Sequence, residues 1–152
     1  MRARSVPVSV PDCIFCKIVR REAPASIVYE DETTLAFLDI RPMIPGHSLV
    51  IPKSHAAYLE DLPKDSSGPI LETARKVAAG LRRSGLPCEA VNLWLANGKA
   101  AGQEVFHVHF HVLPRFRGDG FGIRVGPGYG RTPERTELDG TAEKIRRALE
   151  DQ

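Results

Sequence analysis

No apolar run in the 152-residue chain approaches the roughly 18 residues of a membrane-spanning helix, so no membrane span is expected. A large charge of either sign is also missing. Lysine and arginine number 21 against 19 acidic residues, a net +2, which argues against a protein that grips a nucleic-acid backbone. Cysteine is scarce and odd in number, with Cys13, Cys16 and Cys88 making three. That count argues against a disulfide framework and for a reducing, cytoplasmic setting. Residues 1–11 carry charge but no apolar stretch of the secretory kind, and read as a short disordered arm. Internal repeats and low-complexity tracts are lacking too, which excludes solenoids and biased linkers.

What is present suits one globular domain. Hydrophobic residues make up 42% and charged residues 26%, and a chain of this length buries a core without disulfides. Residues 14–19 open a short helix. Ile27–Tyr29, Thr34–Ile40 and Ser48–Ile51 read as strands separated by turn residues. From Pro69 the period changes: Ile70, Leu71, Ala74, Val77, Ala78 and Leu81 recur at helical steps until Gly85. Pro69 suits the first turn of that helix. Val91–Leu95 and Val105–Leu113 return to strand character, and residues 117–133 carry six glycines and read as a loop. Leu138, Ala142, Ile145 and Leu149 mark a closing helix. The expectation is an α+β domain: a mostly antiparallel five-stranded sheet, one long helix and a C-terminal helix. Residues 12–116 form its main part, with 117–152 packed on the same domain.

The chemistry concentrates in Phe106-His107-Val108-His109-Phe110-His111-Val112-Leu113. Strand alternation places His107, His109 and His111 on one face, and Phe106, Val108, Phe110 and Val112 on the other, against the core. A buried core role explains one histidine but not a row of three. A metal-ligand strip is one reading. A nucleophilic or acid–base site is the stronger one, because clustered imidazoles disfavour one another's protonation and keep a neutral nitrogen available. The preceding loop, residues 97–103, brings amide side chains beside the histidines. It suits phosphoryl oxygens, and Asn97-Gly98 equally suits a plain hairpin turn.

The segment 107–113 matches His-φ-His-φ-His-φ-φ, where φ is apolar, and resembles the signature of the histidine triad (HIT) family of nucleotide hydrolases and transferases. The resemblance extends in order through Cys13–Ile18, Leu35–Ile40, Pro45–His55 and Ala101–Gln103. It implies a HIT-like fold and hydrolysis at the α-phosphate of a purine nucleoside phosphoramidate. His109 would be the nucleophile of a covalent nucleotidyl-histidine, assisted by His111, His107 and Gln103. It implies nucleotide contacts from Ile14, Phe15, Phe37, Asp39, Ile40, Asn97, Gln103, Glu104, Val105, His109 and His111, and a homodimer. By residue type alone, Phe37 and Ile40 also suit a core, and Asp39 also suits closing a turn.

Cys13-x-x-Cys16 alone is a weak motif, open to a metal pair or to two inert thiols. The resemblance adds His55 and His107, implying a structural zinc on Cys13, Cys16, His55 and His107. Two departures stand out. Glu104 occupies a position where many family members carry serine or threonine, and the segment beyond Arg115 matches less well. Arg115, Arg117, Arg124 and Arg131 either line a leaving-group pocket or belong to a solvated loop. The alternatives to a phosphoramidate hydrolase are a dinucleoside polyphosphate hydrolase and a nucleotide-sensing module with little turnover.

Overall fold

The computed structural model describes residues 9–150, and the chain divides into two compact units between Asp119 and Gly120. In the first unit the elements run α1 (Ile14–Val19), β1 (Ile27–Glu30), β2 (Thr34–Leu38), β3 (Ser48–Pro52), α2 (Lys64–Arg83), β4 (Ala90–Trp94) and β5 (Phe110–Arg115). The second unit contains α3 (Arg135–Glu150). Five strands form one antiparallel sheet in the order β1-β2-β3-β5-β4. Of the expected N-terminal arm, residues 1–8 lie outside the described residues. Ser9 and Pro11 accept hydrogen bonds from the Arg20 guanidinium.

Period-two alternation in the central strands builds two cores, one on each face. Ala36 and Val50 point to the side where Ile70, Ala74, Val77 and Leu81 of α2 pack, joined by Val108 and Val112. Leu35, Phe37, Leu49 and Ile51 point to the other side, where Phe15 and Ile18 of α1 close over them. β2 and β3 are therefore buried on both faces. α1 covers its face only in part, and the histidines occupy that face beside it.

Three expectations change. The long helix begins at Lys64, not Pro69, and carries Pro69 in its interior. Pro63 supplies the extended entry and accepts the first bond, from Ser66 N–H. The polar run Asp65-Ser66-Ser67-Gly68 hides this start because it has no apolar period. The triad strand begins at Phe110, not Val105, so His107 and His109 precede it in irregular backbone. Phe106 is half-exposed and meets the Tyr58 ring edge-on at 5.7 Å, away from the core expected for it.

The β1–β2 turn is tied by one carboxylate. Asp31 Oδ1 accepts from Thr33 N–H (3.0 Å), Thr34 N–H (2.8 Å) and the Thr34 hydroxyl (2.9 Å). Thr34 in turn meets Thr73 of α2 at 2.8 Å in the interior. Desolvation raises the Asp31 carboxyl, but these bonds prevail and hold it below its ordinary value. A depressed folded value stabilises the fold above the unfolded value, and that stabilisation fades as pH falls through the folded one. Asp31→Ala is therefore expected to lower unfolding free energy by about 1–2 kcal/mol near neutral pH. The gap from wild type should narrow below pH 3.8, the ordinary value for the group. Urea melts at several pH values check this, and a gap independent of pH contradicts it.

Candidate active site

All five histidines of the chain gather on the α1 side of the sheet. Three arrive through residues 107–111, whose alternate positions Val108 and Val112 are locked in the α2 core. His47 arrives through the loop before β3, and His55 through the loop after it. Gly46 sets the first of these loops. Its φ is +92°, and a Cβ there would lie 3.0 Å from Leu86, 3.1 Å from Leu81 and 3.2 Å from Pro114, so only glycine fits.

Hydrogen bonds to fixed backbone groups determine the tautomers. Met43 N–H can only donate, so the His47 Nδ1 it meets at 3.2 Å is an acceptor. His47 Nε2 then carries the proton and donates to His111 Nδ1 at 2.9 Å. His111 therefore presents an Nε2–H donor. The carbonyl of His107 can only accept, so His109 Nδ1 donates to it at 2.7 Å, which leaves Nε2 of His109 with its lone pair. His107 Nε2 donates to the Pro52 carbonyl at 2.8 Å, leaving its Nδ1 as a lone-pair atom.

Burial pushes all five imidazoles below their ordinary value. For His111 burial, then the neighbouring His109 and His47, bring it to about 4. For His107 burial brings it to about 4 despite the opposing bond to Pro52. For His109 burial outweighs the raising effects of its bond to the His107 carbonyl and of Asp39. All three are neutral near pH 7, which the tautomer chain requires.

The rest of the face is apolar and aromatic. Phe15 meets His109 edge-on at 5.3 Å and Phe37 at 5.3 Å. Phe15 and Phe37 are buried, Val105 packs beside them, and Ile14 and Ile40 reach solvent. Asp39 Oδ1 accepts from Arg41 N–H at 2.8 Å, closing the turn, while Oδ2 lies 3.8 Å from His47 Nδ1. Asn97 accepts from Leu59 N–H at 2.9 Å and donates to Glu60 at 2.9 Å. Buried Gln103 accepts from Gly98 N–H at 2.7 Å and donates to the Ala57 carbonyl at 2.8 Å. These two amides shape the loop that leads into the histidine segment. Glu104 is exposed and pairs with Arg41 at 2.6 Å. Of the C-terminal arginines, Arg115 pairs with Asp119 and Arg131 with Glu137. His47 is the participant that residue-by-residue reading left without a role. Its signal was being one of only five histidines, beside a glycine before a strand.

A second cluster adjoins the first. Cys13 Sγ lies 3.4 Å and Cys16 Sγ 3.7 Å from His107 Nδ1; Cys16 Sγ lies 3.5 Å from His55 Nδ1, and the two Nδ1 atoms are 3.3 Å apart. Ligand atoms around a tetrahedral zinc lie about 3.3–3.8 Å from one another, given bonds of about 2.3 Å to sulfur and 2.0–2.1 Å to nitrogen. Two thiols and two imidazoles at these separations fit such an ion. The lone pair that the Pro52 bond leaves on His107 Nδ1 points into the cluster, as a ligand nitrogen must.

The HIT domain family model matches residues 20–118. This chain belongs to the HIT family. An uncharacterized HIT-like protein of Borreliella burgdorferi is 47% identical over 116 residues, 76% of this chain and 84% of that one. The adenosine 5′-monophosphoramidase of Schizosaccharomyces pombe is 41% identical over 134 residues, covering 88% and 95%. Among solved structures, a protein of Streptococcus mutans superposes with a TM-score of 0.86 at 37% identity, covering 97% and 91%. A zinc-bound histidine triad protein of Mycobacterium smegmatis gives 0.71 at 40% identity, covering 90% and 97%.

The tautomer chain is directly observable. Long-range proton–nitrogen NMR is expected to find His109 protonated on Nδ1 and His111 on Nε2. In His47→Ala the His111 signals should become a mixture of tautomers. A pure Nε2–H form persisting in that variant contradicts the relay.

Proposed function

We propose that the protein hydrolyses purine nucleoside phosphoramidates at the α-phosphate, through a nucleotide carried on His109. The observation that carries this reading is the His109 tautomer: a neutral imidazole, fixed from behind, with a lone pair on Nε2. His109 Nε2 forms a bond to phosphorus as the phosphorus–nitrogen bond breaks. The nitrogen, arriving protonated, departs as a neutral amine with the bonding pair. The positive charge that develops on the His109 ring is stabilised by its Nδ1–H bond to the His107 carbonyl. His111 Nε2–H donates to a phosphoryl oxygen, where charge builds. Water then delivers hydroxide to phosphorus and a proton to solvent, restoring the lone pair and releasing the nucleoside monophosphate. Support comes from the S. pombe relative, itself named an adenosine 5′-monophosphoramidase.

In this reading Ile14, Phe15, Phe37, Ile40 and Val105 clasp the base, and Asp39 receives the ribose hydroxyls. Asn97, Gln103 and Glu104 border the phosphate end. Zinc on Cys13, Cys16, His55 and His107 is structural: it would keep His107 neutral and steady the carbonyl that holds His109. The same reading includes a homodimer.

Turnover of adenosine 5′-phosphoramidate is expected to fall at least a thousandfold in His109→Ala, with nucleotide binding retained. Retained turnover in steady-state assays removes His109 from the nucleophile role. The purified protein is expected to scatter light as twice the 16.7 kDa chain and to hold one zinc per chain, lost in Cys13→Ser with a lower melting temperature. A metal-free, monomeric wild type contradicts both.

A further inference from the structure

One ion pair joins the turn after Asp39 to the segment after Gln103. Arg41 Nη2 and Glu104 Oε2 meet at 2.6 Å although 63 positions separate them in the chain. One end is tied to the histidine network through Asp39, and the other adjoins the apolar cluster that holds Phe15. Arg41 donates its N–H to Asp39, and Asp39 sits against His47. Glu104 lies between buried Gln103 and Val105, which packs on the Phe15, Phe37 and Leu49 cluster. The two side chains are 78% and 74% exposed, so their attraction adds little to folding stability.

An in-line displacement sends the leaving group away from His109, and in the reading above Glu104 borders the phosphate end with its carboxylate exposed to solvent. A departing phosphate or polyphosphate carries negative charge and gains from a guanidinium fork. A departing amine is neutral and gains nothing from one. Arg41 offers that fork, and Glu104 occupies it. We propose that Glu104 determines leaving-group selectivity: by engaging Arg41 it withholds a cation from anionic leaving groups and so favours amines. This deepens the phosphoramidase reading and rests on it.

The test uses the full-length protein as wild type, Glu104→Gln, Arg41→Ala and the double variant. Each is assayed with adenosine 5′-phosphoramidate and with diadenosine triphosphate. The quantity read is the ratio of kcat/KM, polyphosphate over phosphoramidate. Glu104→Gln is expected to raise this ratio about fivefold, the scale of one exposed ion pair. The gain should vanish in the double variant and shrink as salt is added. An unchanged ratio in Glu104→Gln, or the same gain without Arg41, overturns the inference and leaves the phosphoramidase reading standing. A wild type that turns over neither substrate overturns that reading, and the inference with it.

Discussion

His107 is bonded in four directions, and each bond reaches a different part of the molecule. Its N–H donates to the Val105 carbonyl at 2.9 Å, its Nε2 to the Pro52 carbonyl at 2.8 Å, its Nδ1 faces the two thiols, and its own carbonyl receives His109. The ring has no exposure to solvent. A buried imidazole must satisfy both nitrogens or pay in desolvation, and His107 satisfies one on the end of β3 and the other in the cysteine cluster. With the residue held this way, its carbonyl has one position, and His109 has one tautomer.

From that constraint the two halves of the site acquire different tasks. The half with Cys13, Cys16 and His55 has the donors of a metal site. Its donor set and spacing suit a closed tetrahedral ion with no open position for a substrate. The half with His47 and His111 is electrostatic. Met43 N–H starts a directional chain that ends in a donor at His111 Nε2. Between them, His109 keeps a lone pair on Nε2. Burial keeps every member neutral, so a lone pair on His109 and a donor on His111 coexist near pH 7 without a proton having to move first.

Much of this was legible from residue order. Leu35-Ala36-Phe37 and Leu49-Val50-Ile51 were read as strands, and the structure divides their apolar side chains between two cores as the period of two demands. The same rule placed Val108 and Val112 against the core, where they meet α2, although the backbone there is irregular before Phe110. What alternation could not foresee is the neighbour of an exposed residue, which is why Phe106 turned to Tyr58. The start of α2 was hidden because Lys64–Gly68 has no apolar period and Pro69 looked like an entry. The four metal-binding candidates converged as the family resemblance implied. The link from His47 to His111 and the pair Arg41–Glu104 were not legible. Each joins residues more than 60 positions apart through side-chain atoms alone, and no local period encodes such a meeting.

The proposed reaction depends on His109 carrying the nucleotide. An intact-protein mass spectrum of a rapidly quenched reaction with adenosine 5′-phosphoramidate, followed by peptide mapping, tests it most directly. The expected result is an added nucleoside monophosphate on His109, absent from His109→Ala and unstable to water. Turnover by the wild type with no adduct at any quench time, or an adduct mapped to His107 or His111, would contradict it.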